Sequence, residues 1–209
     1  MSAHPSRLSL PDPFPPPAAW QGTGGAAAFS ACGRYRWWLV RHWRAAASPV
    51  LFLGLNPSRA DGRQDDPTLR RLIALADHWG HGQLLVLNLF SRVGRDPAQL
   101  RHWSQPVGEQ NEAWLATALA WLQAQPATRE GPPPRLWLGW GREGGLHDRE
   151  RRIGTLLQCW KGEVVCVGVT RDGHPRHPLY TRARHPPLPF PGLPTPCPGS
   201  PADMPSTCS

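Results

Sequence analysis

The feature that most constrains the fold of this chain is the alternation of short apolar runs with longer stretches of helical periodicity. Continuous apolar runs, which are typical of strands covered on both faces of a sheet, occur at residues 50–55, 84–87, 136–138 and 164–167. Apolar side chains recur at helical spacing within residues 67–79, 108–125 and 153–160. The alternation predicts βαβ units, and therefore a three-layer α/β fold with a short, mostly parallel sheet between helices.

Local signals indicate where individual elements begin and end. Asp66 at the N-cap and Pro67 at the first helical position predict the start of the first long helix, and Gly80 predicts its end. Upstream, the aromatic and β-branched residues 34–40 predict an extra N-terminal strand or hairpin.

Composition divides the chain into one domain and two tails. Residues 1–28 and 185–209 are rich in proline, which predicts a poorly ordered leader and a disordered tail around a single domain at 29–184. No apolar stretch is long enough for a transmembrane helix, and prolines interrupt the region where a signal peptide needs a continuous apolar segment. We therefore expect a cytoplasmic protein with no membrane partner.

The charge of the chain is strongly positive. The formal net charge is +8, and arginine supplies nearly all of the positive charge because Lys161 is the only lysine. The planar guanidinium fork suits phosphate and carboxylate groups, and a basic protein is attracted to nucleic acid. A genomic bias toward arginine codons explains the same composition equally well, since Ala, Gly, Pro and Trp are also abundant. The charge favours an anionic partner, nucleic acid or a nucleotide, without requiring one.

Polar loops follow the four predicted parallel strands. They cover residues 54–61, 88–92, 139–142 and 168–180, and they carry arginine, aromatic or histidine side chains. Ligands of open α/β sheets bind just beyond the carboxyl ends of the strands. The convergence of these loops at one edge therefore predicts a ligand site there.

Some of these residues also have ordinary structural explanations. Asn56, Pro57 and Ser58 form a common turn sequence, and Asn88 could bond its own backbone. His177 is different, because prolines on both sides fix its backbone in the loop after the last parallel strand. A rigid histidine in such a loop favours a functional role.

A metal site is the less favoured explanation of the acidic loop. Asp61, Asp65 and Asp66 could bind a cation. Asp66 is already explained as a helix cap, so we expect neither a metal nor a cofactor.

These motifs resemble those of an uncharacterised bacterial and phage family, the domain-of-unknown-function family numbered 1643. The resemblance covers residues 29–180 and brings no established reaction. The motifs that carry it are residues 32–36 (CGRYR), 54–61 (GLNPSRAD), 65–68 (DDPT), 88–90 (NLF), 140–141 (WG) and 173–180 (GHPRHPLY).

The order of the motifs is also similar to that of the uracil-DNA glycosylase superfamily, which has a short parallel sheet between helices. This second resemblance implies that Asn56 positions the attacking water and that Asn88 reads the base edge. It implies that Phe90 stacks on the base and that His177 stabilises the leaving base. Leu179 falls near the residue that probes the duplex in that superfamily. Asn56 departs from the pattern, because the fastest glycosylases have aspartate there.

Three functions remain open from the sequence. The first is a glycosylase-like enzyme that hydrolyses the N-glycosidic bond of a nucleobase in a nucleotide or nucleic acid. The second is a nucleic-acid or nucleotide binding module without catalysis, and the third is a hydrolase of a small phosphorylated metabolite. The candidate catalytic residues are Asn56 and His177, and the candidate substrate-binding residues are Ser58, Arg59, Asp61, Asn88, Phe90, Arg92, Trp140, Gly141, Arg176 and Tyr180.

Overall fold

The computed structural model describes residues 13–58, 60–128 and 131–192. The strands are β1 (Gly25–Phe29), β2 (Arg36–His42), β3 (Pro49–Gly54), β4 (Gln83–Asn88), β5 (Arg135–Leu138), β6 (Val164–Cys166) and β7 (Leu188–Pro189). The α-helices are α1 (Pro67–His78), α2 (Asn111–Gln123) and α3 (Arg149–Leu157). Short 3-10 helices occupy Ala18–Trp20, Pro97–Arg101, Arg142–Asp148 and Pro178–Tyr180.

The strands form one mixed sheet in the order β1-β2-β4-β3-β5-β6-β7. The pairings of β3 with β4, β3 with β5 and β5 with β6 are parallel, whereas β1–β2, β2–β4 and β6–β7 are antiparallel. The predicted α/β class is confirmed, but a mostly parallel sheet is not. Only the central strands, which βαβ units connect, are parallel, and antiparallel strands extend the sheet on both sides.

Helices cover both faces of the sheet. One core cluster packs apolar residues of α1, including Leu72 and Leu75, against Val50, Phe52 and Val86. The opposite cluster packs residues of α2 and α3 against the alternate strand residues, such as Leu51 and Leu85. Because successive strand residues point to opposite faces, the continuous apolar runs supply both clusters. Among the described residues, no helix combines the length and apolar character needed to cross a membrane.

The start of α1 follows from two adjacent residues. The Asp66 carboxylate accepts a hydrogen bond from the backbone N–H of Leu69 at 2.7 Å, and Pro67 is the first helical residue. This N-cap satisfies one of the free N–H groups of the first turn, and proline loses no hydrogen bond there. The helix therefore begins where the sequence predicts, at the end of the loop that follows β3.

Both predicted tails contribute described structure to the domain. In the 1–28 region, residues 1–12 lie outside the described residues, but Trp20 is 0% exposed in the core and β1 begins at Gly25. In the 185–209 region, Leu188–Pro189 pair with β6, and residues 193–209 lie outside the described part. Residues 13–28 and 185–192 therefore contribute a buried side chain and paired strands to the domain, although their composition has a low intrinsic preference for structure.

The buried His81 should make the stability of the fold depend on pH. Burial lowers the pKa of its imidazole from 6.5 to about 4, and Ser48 is its hydrogen-bond partner at 3.1 Å. The folded state favours the neutral ring, so this stability is present above pH 6.5 and is lost as the pH falls through about 4. The shift corresponds to a loss of about 3 kcal/mol.

Urea unfolding at neutral and acidic pH measures this effect. His81→Gln should flatten the loss of unfolding free energy over that pH range, because the substituted side chain does not titrate. His78→Gln, which removes an exposed imidazole at the end of α1, is the matched control. Equal pH profiles for the wild type and His81→Gln would contradict the assignment.

Candidate functional site at the carboxyl edge of the parallel strands

The carboxyl ends of the parallel strands meet at one cavity. Gly54, the last residue of β3, is in register with Asn88, the last residue of β4. The cavity beyond them has a volume of about 350 Å³, which is within the range of small-molecule sites. The predicted site residues that line it are Asn56, Ser58, Asn88, Trp140, Gly141, His177 and Tyr180.

Asn88 is held by a buried arginine. Arg36, at the start of β2, is 5% exposed, and its Nη2 donates to Asn88 Oδ1 at 3.2 Å while Nη1 donates to the carbonyl of Ala60 at 3.0 Å. Oδ1 of the Asn88 side chain therefore faces the guanidinium. This orientation leaves the side-chain Nδ2 as a donor for a ligand in the cavity. Burial lowers the pKa of Arg36 to about 10, and the charge of Asp66 opposes that shift.

The Asn56 side chain has a fixed orientation. Its Nδ2 donates to the carbonyl of Gly94 at 3.0 Å, and more weakly to that of Pro57 at 3.4 Å. Both hydrogen bonds use the amide nitrogen, so Oδ1 is left as an acceptor beside the cavity. The turn role that the sequence suggests for Asn56 is therefore compatible with a role in the cavity, because the same hydrogen bonds that hold the loop also orient the amide.

Ser58 and Asp66 form a hydrogen-bonded pair on the cavity wall. The Ser58 hydroxyl donates to Oδ2 of Asp66, while Oδ1 of Asp66 caps α1. The other aspartates of this loop have separate partners. Asp61 accepts the backbone N–H groups of residues 63 and 64 at 2.7 and 2.8 Å, and Asp65 pairs with Arg41 at 2.7 Å.

His177 enters the cavity from the loop after β6. Its Nδ1 accepts the backbone N–H of Leu179 at 3.3 Å, at the start of the 3-10 helix Pro178–Tyr180. A neutral ring with Nδ1 as acceptor carries its proton on Nε2. Burial lowers the pKa of this imidazole, and the charge of Asp66 opposes that shift. His177 is therefore a neutral N–H donor at neutral pH.

Phe52 is a core ring that reaches the cavity: it is 2% exposed and packs against Trp137 with their ring centroids 4.9 Å apart. It lines the cavity, and Gly54 and Gly139 flank it. A Cβ atom on Gly139 would lie 2.5 Å from Cε2 of Phe52, and one on Gly54 would lie 2.9 Å from Cε1. Glycine at both positions is therefore required for the ring to occupy its place.

Trp140, Gly141 and Tyr180 border the same cavity in different ways. Trp140 is buried and packs on the core cluster beneath α2 and α3. Gly141 has φ of 73°, a conformation that favours glycine, and its N–H donates to the Pro175 carbonyl at 2.8 Å. Tyr180 is 88% exposed at the mouth. The hydrogen bond from Gly141 to Pro175 joins the loop after β5 to the loop that carries His177.

Several predicted site residues lie elsewhere. Phe90 is 0% exposed in the core under α2 and α3, so its placement does not support stacking on a ligand. Arg92 lies over the rings of Tyr35 and Trp103, at 5.6 and 5.2 Å from their centroids, and does not line the cavity. Asp61 is occupied within its own turn. Arg59 lies outside the described residues.

Arg176 lines a second, basic groove that adjoins the cavity. The two share Gly141, Arg142, His177 and Tyr180. The groove also contains Arg176, Arg182, Arg184 and His185, and no aspartate or glutamate is among its described lining residues. Its positive charge would suit an anionic chain that reaches the cavity.

The cavity residues that the sequence-based prediction missed include Arg36, Phe52 and Asp66. Arg36 has a visible signal, because a charged residue immediately precedes the apolar run 37–40 of β2. Phe52 and Gly54 share one strand face two residues apart, a spacing that leaves room for the ring. Asp66 carried no separate signal, since the cap of α1 already explained it.

The fold and this site define an α/β protein whose cavity, at the carboxyl edge of its parallel strands, combines an apolar wall with a few polar side chains. The model of the family described as "Protein of unknown function (DUF1643)" matches residues 36–179, and the chain belongs to this family. No curated protein and no solved structure matches the chain. The matched segment includes each described residue of the predicted site except Tyr180.

Proposed function

We propose that this protein hydrolyses the N-glycosidic bond of a nucleobase. The observation that supports this most strongly is the meeting of Asn56, Asn88 and His177 at one cavity, each with a fixed side-chain orientation. Cleavage of such a bond needs a positioned water and stabilisation of the charge that develops on the leaving base. Preorganised hydrogen-bond donors supply that stabilisation.

The water would be positioned by Asn56. Its Oδ1 remains an acceptor because Nδ2 is bonded to the Gly94 and Pro57 carbonyls. An amide oxygen orients a water by accepting one of its hydrogens. This role needs no change of charge on Asn56.

The base would be held by Asn88 and Phe52 and released with help from His177. Nδ2 of Asn88 donates to an oxygen on the base edge, because Arg36 occupies the Oδ1 side. The buried Phe52 ring would supply an apolar contact to the base, in place of the stacking that the sequence suggested for Phe90. Nε2 of His177 donates to an oxygen of the base as it gains negative charge, and the lowered pKa keeps the imidazole neutral.

Base release, measured by mass spectrometry, tests the proposal. The substrates are uracil- and hypoxanthine-containing oligonucleotides, single- and double-stranded, together with the free nucleotides. His177→Ala and Asn56→Ala should each lower the rate by about 100-fold or more, the usual loss when one preorganised group is removed.

His174→Ala is the matched control for the histidine. His174 lies in the same loop but pairs with Glu150 at 2.6 Å and does not line the cavity. Release that His177→Ala and Asn56→Ala leave intact would argue against these roles. The absence of release by folded wild type on the whole panel would reject the hydrolase.

The basic groove favours a second candidate, a binding module for nucleic acid without turnover. Arg176, Arg182 and Arg184 are exposed, and among the described residues none of them forms an ion pair. Side chains of this kind bind phosphates and release counterions, so affinity would fall steeply with salt. Salt-dependent binding of an oligonucleotide without base release would favour this candidate over the hydrolase.

A further inference from the structure

The proposed hydrolysis leaves one proton without an acceptor. A water that attacks the sugar must lose a proton, but the side-chain amide of Asn56 orients the water without taking that proton. The acceptor must be another side chain of the cavity. Among the described lining residues, the carboxylates are Asp66 and Glu143.

Glu143 already has a cationic partner. Its Oε2 accepts from Nη2 of Arg101 at 2.8 Å, in a pair that is exposed at the rim of the cavity. Protonation of Glu143 would break this ion pair. The geometry therefore disfavours Glu143 as the acceptor.

Asp66 retains capacity to accept a proton. One oxygen accepts from the Leu69 N–H and the other from the Ser58 hydroxyl. A carboxylate has about four lone-pair positions, so two remain. Within the described residues, no cation lies within ion-pair distance of Asp66. Its half-buried position on the wall also places it beside the same loop as Asn56.

The charge of Asp66 reaches the other groups of the site. Burial lowers the pKa of both Arg36 and His177, and in each case Asp66 opposes the shift. The negative charge of Asp66 therefore acts on Arg36, which holds Asn88, and on His177.

We propose that Asp66 is the proton acceptor of the reaction. This inference rests on the proposed hydrolysis. The water oxygen forms a bond to the anomeric carbon while the bond from that carbon to the base nitrogen breaks. The electron pair of the broken bond leaves with the base, and the proton of the water passes to Asp66. Ser58 keeps the carboxylate oriented through its hydroxyl.

The substitution Asp66→Asn separates this role from helix capping, because asparagine caps helices about as well as aspartate. Asp96→Asn is the matched control. Asp96 also precedes a proline, and it caps the 3-10 helix Pro97–Arg101 through the Ala98 N–H at 2.9 Å, but it does not line the cavity.

The test measures kcat, KM and the urea midpoint of the full-length wild type and both variants. We expect Asp66→Asn to lower kcat by about 100-fold or more, the usual contribution of a general base, with KM and the urea midpoint unchanged. Asp96→Asn should behave as wild type. Full activity in Asp66→Asn, or an equal loss in Asp96→Asn, would overturn the proposal while the hydrolase stands. A folded wild type with no base release would overturn both.

Discussion

Replacing Arg149 with methionine should lower the free energy of unfolding by about 3–5 kcal/mol, the usual cost of removing one partner from a buried ion pair. The Arg149 side chain is 3% exposed, and its Nη1 donates to Glu112 at 2.6 Å. Its Nε donates to the Leu89 carbonyl at 3.0 Å, and its Nη2 donates to Asn111 at 2.6 Å. Methionine would leave the Leu89 carbonyl and Oδ1 of Asn111 without this donor, and Glu112 would keep only its pairing with Arg152.

The same network supports the site. Asn111 donates through Nδ2 to the backbone carbonyl of Asn88 at 2.9 Å, so Arg149 fixes the residue that holds the last residue of β4. Arg152→Met is the matched control, because Arg152 also pairs with Glu112 but is 44% exposed. We expect it to cost no more than about 1 kcal/mol, as surface pairs do. Equal urea midpoints for the two variants would contradict this account.

Gly54→Ala should damage both stability and the site. The added Cβ would lie 2.8 Å from Nδ2 of Asn88 and 2.9 Å from Cε1 of Phe52, and both side chains are buried. Overpacking of a core costs about 1–3 kcal/mol. Displacement of the Asn88 amide should also lower base release by about 100-fold, as small misplacements of binding groups do.

Gly154→Ala is the matched control for Gly54→Ala, because the same substitution should here increase stability. Gly154 lies inside α3, where an added Cβ would meet nothing within 4 Å. Alanine there should raise the free energy of unfolding by about 0.5–1 kcal/mol, because glycine is unfavourable within a helix. Urea unfolding of both variants measures the contrast. Wild-type stability of Gly54→Ala would contradict the prediction, because it would mean that Asn88 and Phe52 can move to accept the added methyl group.

The central part of this fold could be predicted from the sequence because its signals are local. Apolar runs marked β3 to β6, and Asp66 with Pro67 marked the start of α1. Asn56, Asn88 and His177 were placed at one edge by the rule for open α/β sheets, and all three line the cavity. These predictions needed only periodicity, capping chemistry and the direction of parallel strands.

The rest depended on distant contacts. β1 consists of glycine, alanine and one phenylalanine, which carry no strand signal, and it forms because β2 offers a partner edge. In a strand, residues two apart lie on the same face, so alternation alone would place Phe90 on the same side as Asn88. Since β4 ends at Asn88, both Leu89 and Phe90 turn into the cluster under α2 and α3, which only the tertiary structure determines.

The two outermost strands also bear on self-association. β1 and β7 border the sheet, and both lie outside the matched segment 36–179. A chain trimmed to that segment would expose the backbone N–H and C=O groups of β2 and β6, which are templates for pairing with another chain. We therefore expect removal of these alanine- and proline-rich stretches to promote aggregation, so that the smallest well-behaved unit of this protein extends beyond the matched segment.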